Sequence, residues 1–167
     1  MGAFLARAGH DVTLVDNVPA HVDAINANGL RITGPIADFT ATLPACTPES
    51  LSGTWDTIVL ATKAHHTAGA VRSLLPHLAD DGCVVSAQNG LNELTIAEVV
   101  GEQRTVGAFV NFGADYMEPG VLFYGGRGTV TVGEAFGPTA ERVSPRVLAI
   151  RDSWQDFDER AFATDNI

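Results

Sequence analysis

The sequence predicts an α/β fold with a doubly wound, mostly parallel sheet and an antiparallel extension. Over about the first 110 residues, short apolar segments rich in β-branched residues alternate with segments of helical composition, a pattern typical of a parallel sheet with helices on both faces. With 46% hydrophobic and 18% charged residues, the composition is globular. Because 167 residues are enough to bury one core, we assign residues 1–167 to a single domain.

Glycine and proline set the ends of the predicted elements in the first part of the chain. Gly9 suits the C-cap of a first helix, Pro19 and Gly29 suit the start and the end of a second, and Gly34-Pro35 indicates a turn. The predicted elements are a helix at 3–8, a strand at 11–15, a helix at 19–28, a hairpin at 30–43 and a strand at 55–62.

The remainder of the chain continues the alternation and then changes to antiparallel strands. Pro76 weakens the last turn of one predicted helix, and Pro145 interrupts another. The residues 125–128, Gly-Gly-Arg-Gly, indicate a connection between two antiparallel strands. The predicted elements are a helix at 67–78, a strand at 83–87, a helix at 91–100, a strand at 105–112, the antiparallel strands at 121–124 and 129–133, a helix at 139–154 and a strand at 157–164.

The first sixteen residues resemble the second half of a dinucleotide-binding βαβ unit. Gly2 would be the last glycine of G-x-G-x-x-G, and we expect the preceding strand and the first glycines to be missing. Asp16 ends the next strand, about 20 residues after the expected position of the first glycine. An acid at this place accepts hydrogen bonds from the adenosine ribose and repels a 2′-phosphate, which favours NAD over NADP. The alternative is that Asp16 only opens the turn Asp16-Asn17.

Three further candidates follow predicted strands, where the ligands of parallel sheets bind. Lys63 would place a cation near the phosphates or ribose of a cofactor, or would be a solvated lysine at a helix start. Asn89 would direct a neutral amide at the nicotinamide ribose and a substrate carbonyl, or would simply form the Asn-Gly turn. Gly113 would let the backbone approach a ligand closely, or would be a plain loop glycine.

Charge and composition argue against several other classes of function. A net charge of −10 argues against nucleic acid and anionic membranes as partners, and no apolar run is long enough to cross a bilayer. We expect no metal site, since Cys46 and Cys83 are far apart and adjacent His65 and His66 on a helix do not face one site. We expect both cysteines to be small buried apolar residues, which is compatible with a reducing cytoplasm.

Together these motifs resemble the ketopantoate reductase (2-dehydropantoate 2-reductase) family. The matching segments are residues 2–16, Ala-Thr-Lys-Ala at 61–64, Gln-Asn-Gly at 88–90 and the stretch 107–134. The resemblance implies a Rossmann-like domain that binds NAD or NADP, with Gly2, Asp16, Lys63, Asn89 and Gly113 at the cofactor. It also implies hydride transfer from the reduced nicotinamide to a small-molecule 2-keto acid, giving a 2-hydroxy acid in pantothenate biosynthesis, with Asn89 at the junction of nicotinamide and substrate.

The resemblance also implies parts that this sequence lacks. The family's catalytic lysine, the proton donor to the ketone, lies just inside a helical C-terminal domain, and Lys63 is the only lysine of this chain. We therefore expect the first strand and that domain to be absent, and this chain to be inactive by itself. Family members that use NADP tend to carry a basic residue where Asp16 stands, which favours NAD here.

Two other functions stay open. One is a non-catalytic Rossmann domain that binds a dinucleotide or a protein; an uncovered sheet edge and apolar patch would favour a homo-oligomer or pairing with another chain. The other is a relative of 6-phosphogluconate or nucleotide-sugar dehydrogenases, which share the N-terminal architecture. The Gln-Asn-Gly turn followed by antiparallel strands favours the ketopantoate reductases, although likeness of fold alone does not decide function.

Overall fold

A computed structural model describes residues 1–137, 143–165 and 167 of the chain. Helices and strands alternate over most of its length. In chain order the elements are α1 (Gly2–Ala8), β1 (Leu14–Val15), α2 (Pro19–Asn28), β2 (Leu30–Thr33), β3 (Phe39–Ala41), β4 (Ala45–Cys46), β5 (Trp55–Leu60), α3 (Thr67–Leu74), β6 (Leu78–Ser86), α4 (Asn92–Val100), β7 (Thr105–Val110), β8 (Gly113–Glu118), β9 (Val121–Gly126), β10 (Val130–Glu134), α5 (Pro145–Trp154) and β11 (Ala161–Thr164). Short 3-10 turns occupy Pro48–Ser50, Ala64–His66, Leu75–His77 and Glu102–Arg104.

The chain divides into two compact units, each made of three segments. The first unit comprises Met1–Leu51, Asn111–Gly128 and Ser153–Glu159. The second unit comprises Ser52–Val110, Thr129–Asp152 and Arg160–Ile167. The assignment of residues 1–167 to a single nucleotide-binding domain stays a prediction.

The first unit holds two small sheets and an aromatic core. Strands β1 and β4 pair in parallel, and a second sheet has the strand order β3-β2-β9-β8. In this four-stranded sheet, β2 and β9 are parallel, and the other neighbouring strands are antiparallel. Phe4 of α1 packs edge-to-face against Phe39, Tyr124 and Phe157, with ring centroids 4.9 to 5.8 Å apart. This cluster packs α1 against other segments of the unit.

The second unit is built on a five-stranded sheet in the order β11-β10-β7-β6-β5. Strands β5, β6 and β7 are parallel, β10 is antiparallel to β7, and β11 is parallel to β10. Apolar side chains on one face of this sheet pack against α3 and α4 in a buried cluster of Leu60, Val71, Leu78, Val84, Ile96 and Val100.

The opposite face of that sheet receives the first turn of α5. Val85 and Val106 are paired neighbours on this face, and Glu134 pairs with Val106 in the antiparallel ladder. Arg146 of α5 donates hydrogen bonds to Glu134. Helices therefore cover both faces, and the predicted Rossmann-like α/β fold with its mostly parallel sheet and antiparallel extension is confirmed.

One predicted strand pairing is wrong. The segments 121–124 and 129–133 do not pair with each other: β9 is antiparallel to β8, and β10 is antiparallel to β7 in a different sheet. The glycines at 125, 126 and 128 imitate a hairpin connection, but long-range pairing decides the partners of both strands.

Several predicted boundaries are also corrected. The strand predicted at 11–15 shortens to β1, which pairs with the two-residue strand β4. The strand predicted at 157–164 begins at Ala161 because Phe157 belongs to the aromatic core. Helix α3 ends at Leu74, just before Pro76. The helix predicted from Thr139 begins at Pro145, and residues 139–142 lie outside the described residues.

Candidate functional site

Lys63 and Asn89 follow adjacent parallel strands at the same edge of the sheet. The last registered pair of β5 and β6 is Leu60 with Ser86, and each candidate stands three positions beyond its member of that pair. The amide of Ala87 donates to the carbonyl of Leu60 at 2.9 Å, which extends the pairing past both strands. Because carboxyl ends of parallel strands carry the ligand sites of such sheets, this edge is the candidate site of the second unit.

Both side chains are exposed at that edge. Lys63 is the residue before the 3-10 turn Ala64–His66, which leads into α3, and Asn89 precedes α4 in the turn through Gly90. Gly90 adopts a φ of 97°, which favours glycine in this turn. An exposed cation and an exposed amide are therefore both accessible to an anionic ligand.

Buried polar groups connect the two segments that carry these candidates. Gln88 Nε2 donates to the carbonyl of Thr62 at 2.6 Å and to Thr67 Oγ1 at 2.9 Å. Thr67 Oγ1 donates to Asn92 Oδ1 at 3.2 Å, and Asn92 Nδ2 donates to the carbonyl of Asn89 at 2.9 Å. Sequence reasoning named Gln88 only as part of a turn motif and missed Thr67 and Asn92; their positions beside helix starts were the available signal.

The carboxyl end of β6 carries polar atoms that the fold does not use. Ser86 Oγ and Gln88 Oε1 are buried and have no hydrogen-bond partner within residues 1–137, 143–165 and 167. Buried polar groups are otherwise almost always paired. At the same edge, the exposed cation of Lys63 and the exposed amide of Asn89 fit a polar, anionic ligand such as a nicotinamide dinucleotide.

The first unit carries the other three predicted residues. Gly2 opens α1, and a Cβ built on it would lie 3.0 Å from Leu14 Cδ2, so its lack of a side chain lets α1 approach β1 closely. Close helix–strand packing is what the last glycine of the dinucleotide fingerprint provides. Gly113 is exposed at the start of β8 and pairs with Gly126.

Asp16 stands directly after β1, and its carboxylate takes part in the turn that follows. Its Oδ1 accepts the amide of Val18 at 2.8 Å, which is the predicted turn role. Its own amide donates to Cys46 at 3.1 Å and so continues the pairing with β4. Asn26 of α2 fixes that strand in turn, since its side chain exchanges two hydrogen bonds with the backbone of Ala45. The half-buried carboxylate is thus held at a strand end by backbone contacts.

Away from these candidates, the carboxyl of Glu134 has a shifted pKa. Burial alone would raise its pKa, but hydrogen bonds from Arg146 and Ser144 and the charge of Arg146 outweigh burial and lower the pKa. Burial raises the pKa of the free thiols of Cys46 and Cys83. Of these groups, Glu134 and Cys83 lie in the second unit and Cys46 lies in the first.

The two adjacent histidines lie beside each other at the surface of the second unit. His65 and His66 are exposed, with ring centroids 4.0 Å apart. Within the part of the chain that the structure describes, no group of three or more His, Cys, Asp or Glu residues could hold a metal ion. Among the same residues, none of the helices is long and apolar enough to span a membrane.

The helices and the mostly parallel sheet define a Rossmann-like α/β fold, and comparison with known proteins gives the family of this chain. The family model described as ketopantoate reductase PanE/ApbA matches residues 1–137. The chain therefore belongs to the ketopantoate reductase family.

Individual relatives agree with this assignment. The 2-dehydropantoate 2-reductase of Pyrococcus abyssi is 40% identical over 135 residues, which are 79% of this chain and 42% of that protein. The crystal structure of a PanE/ApbA family ketopantoate reductase from Ralstonia eutropha JMP134 matches with a TM-score of 0.85 and 27% identity, over 99% of this chain and 52% of that one. The chain thus spans about half the length of the relatives it matches.

A likeness of fold extends to another enzyme. A D-mandelate dehydrogenase in ternary complex with NADH and anilino(oxo)acetate matches with a TM-score of 0.87 over 99% of this chain and 53% of that one. The identity is 22%, so this match concerns the fold alone.

Proposed function

We propose that this chain is the nicotinamide-dinucleotide-binding portion of a reductase that transfers hydride to a 2-keto acid and gives the 2-hydroxy acid. The observation that carries the proposal is the placement of Lys63 and Asn89 three positions beyond the registered pair Leu60–Ser86, at the carboxyl edge of a parallel sheet. Family membership supports the same cofactor class. When bound, the reduced nicotinamide supplies the hydride.

Each candidate residue has a role that matches its chemistry. Lys63 is the only lysine of a chain whose net charge is −10, so its ammonium is the natural partner for a phosphate or ribose of the dinucleotide. The Asn89 amide donates to the keto oxygen as negative charge develops there, without titrating. A 2-keto acid is the substrate class because the relatives are named as 2-dehydropantoate 2-reductases.

The first unit supplies proposed contacts of its own. The Asp16 carboxylate accepts hydrogen bonds from the adenosine ribose and disfavours a 2′-phosphate, so we assign a preference for NAD over NADP. The exposed backbone at Gly113 offers a further contact to the dinucleotide. Because free cysteines suit a reducing compartment, the cytoplasm is the proposed location.

Titration with dinucleotide tests the proposal directly. Binding of NADH and of NADPH to the 167-residue chain is followed by nicotinamide fluorescence, and the dissociation constants are compared with those of Lys63→Met. Loss of a charge-assisted hydrogen bond is expected to weaken both dinucleotides about tenfold or more.

Arg72→Met is the matched control for that variant. It removes an exposed cation from the last turn of α3, the helix that Lys63 precedes, and is expected to leave both dissociation constants within about twofold because surface charges at a distance are screened. A wild-type chain that bound neither dinucleotide would overturn the proposed function. An equal loss in both variants would remove Lys63 from the site.

A further inference from the structure

The polar network behind the candidate edge ends in a backbone carbonyl on each side, and these two carbonyls determine which side-chain atoms donate. A backbone carbonyl can only accept, so the carbonyl of Thr62 requires the NH₂ group of Gln88 to face it, and the carbonyl of Asn89 requires the NH₂ group of Asn92. Between them, Thr67 Oγ1 accepts from Gln88 and donates to Asn92. These contacts assign the donors and acceptors of Gln88, Thr67 and Asn92, and Gln88 Nε2 also lies 3.3 Å from Thr62 Oγ1.

The side chains of this network are buried, whereas the two candidate residues beside it are exposed to solvent. Thr67, Gln88 and Asn92 are 1%, 6% and 8% exposed. Lys63 and Asn89 are exposed. In a buried setting, hydrogen bonds of this kind are worth more than at the surface, and they define a single arrangement of the groups that they join.

The two ends of the network fix the peptide groups that carry the candidate residues. The carbonyl of Thr62 belongs to the peptide that enters Lys63, and the carbonyl of Asn89 belongs to the peptide that leaves Asn89. Thr67 and Asn92 are the first residues of α3 and α4. The network thus ties together two helix starts and the two segments that precede them.

We propose that Gln88, Thr67 and Asn92 are positioning residues, which hold Lys63 and Asn89 at the spacing that a nicotinamide dinucleotide requires. This inference rests on the proposed function, but it concerns residues that do not contact the ligand themselves. Dinucleotide binding requires both strand-end segments at once, so loosening either one lowers affinity without removing any contacting group.

Substitutions at Thr67 break the network at its centre with little change in shape. Thr67→Val removes the hydroxyl and keeps the volume, and Thr67→Ser keeps the hydroxyl. Thr105→Val is the matched control: Thr105 is also fully buried in the second unit, and its hydroxyl donates to the carbonyl of Gly101 at 2.9 Å, at the amino end of β7. Thermal melting compares the stability of all four proteins.

Two measurements on the full chain separate the inference from the proposed function. The first is amide hydrogen exchange of the ligand-free protein, at residues 62–66 and 87–91. The second is the dissociation constant for NADH and for NADPH. We expect Thr67→Val to raise exchange in both segments and to weaken binding, each about threefold to tenfold, while Thr67→Ser restores both and Thr105→Val changes neither.

Each other outcome overturns a definite statement. Exchange that stays unchanged in Thr67→Val, or that rises equally in Thr105→Val, overturns the claim that the network holds the two segments. Faster exchange with undiminished binding overturns the claim that this hold serves the dinucleotide. Failure of the wild-type chain to bind either dinucleotide overturns the proposed function, while the exchange data still decide the structural claim.

Discussion

Arg146 donates two hydrogen bonds to the carboxylate of Glu134, from Nε to Oε1 at 2.8 Å and from Nη2 to Oε2. Ser144 donates a third, to Oε1, and Arg146 Nη1 also reaches the carbonyl of Gln103 at 2.6 Å. The Glu134 side chain is 5% exposed. This bidentate pair joins the end of β10 to the first turn of α5, so the helix is held by a buried charge as well as by its apolar side chains.

Removal of Arg146 is expected to destabilise the chain strongly. Arg146→Met leaves the carboxylate of Glu134 buried without its cation, which costs about 3 kcal/mol in the free energy of unfolding. Arg151→Met is the control, because the ion pair of Arg151 is with the largely exposed Asp152 and such pairs contribute about 0.5 kcal/mol. Urea unfolding followed by circular dichroism measures both, and equal losses would contradict the special role of Arg146.

The same pair predicts how stability depends on pH. The pKa of Glu134 is lower in the folded chain than its ordinary value of 4.5, so the unfolded chain binds more protons in this range. The stabilisation is therefore complete above about pH 4.5 and is lost as the pH falls through the folded pKa. The stability gap between wild type and Glu134→Gln should narrow on acidification from pH 6 to about pH 3. If the difference in the free energy of unfolding between the two proteins stayed constant over that range, ionisation of Glu134 would not be the source of the difference.

Local sequence signals predicted the elements whose ends depend on backbone chemistry. Pro19 and Gly29 predicted the bounds of α2 correctly, because proline favours a helix start and the glycine adopts a φ of 79° just after its end. Gly9 likewise ends α1 with a φ of 99°. These interactions lie within a few residues along the chain, so the sequence contains them in full.

The same local signals could not predict which strands pair over long distances along the chain. Every residue of β8 is exposed, so the strand has no alternation of apolar and polar residues that could reveal it. Without β8, the glycines after β9 made pairing with β10 the natural prediction. The network of Gln88, Thr67 and Asn92 was missed for a related reason, since polar residues at helix starts usually cap locally and only the folded chain shows which of them meet.

The turn between β2 and β3 offers a test of backbone strain. Gly34 has a φ of 125°, and a Cβ built there would lie 2.5 Å from the carbonyl oxygen of Tyr124. Gly34→Ala therefore combines an unfavourable φ with a clash against backbone and should cost about 3 kcal/mol. Gly9→Ala is the control, because its φ is 99° but no atom lies within 4 Å of the added Cβ, which leaves a cost of about 1 kcal/mol. Thermal unfolding that ranked the two variants in the opposite order would contradict this account.

Cofactor preference can be separated from the turn at Asp16 by a single isosteric change. Asp16→Asn keeps an oxygen that accepts the amide of Val18, so the turn after β1 persists while the negative charge is removed. If that charge repels a 2′-phosphate, the ratio of NADPH to NADH affinity should rise about threefold to tenfold in Asp16→Asn. Asp16→Ala, which also loses the turn, should weaken NADH more than NADPH. Parallel fluorescence titrations give both ratios, and an unchanged ratio in Asp16→Asn would leave Asp16 with the turn alone and remove the basis for a preference for NAD.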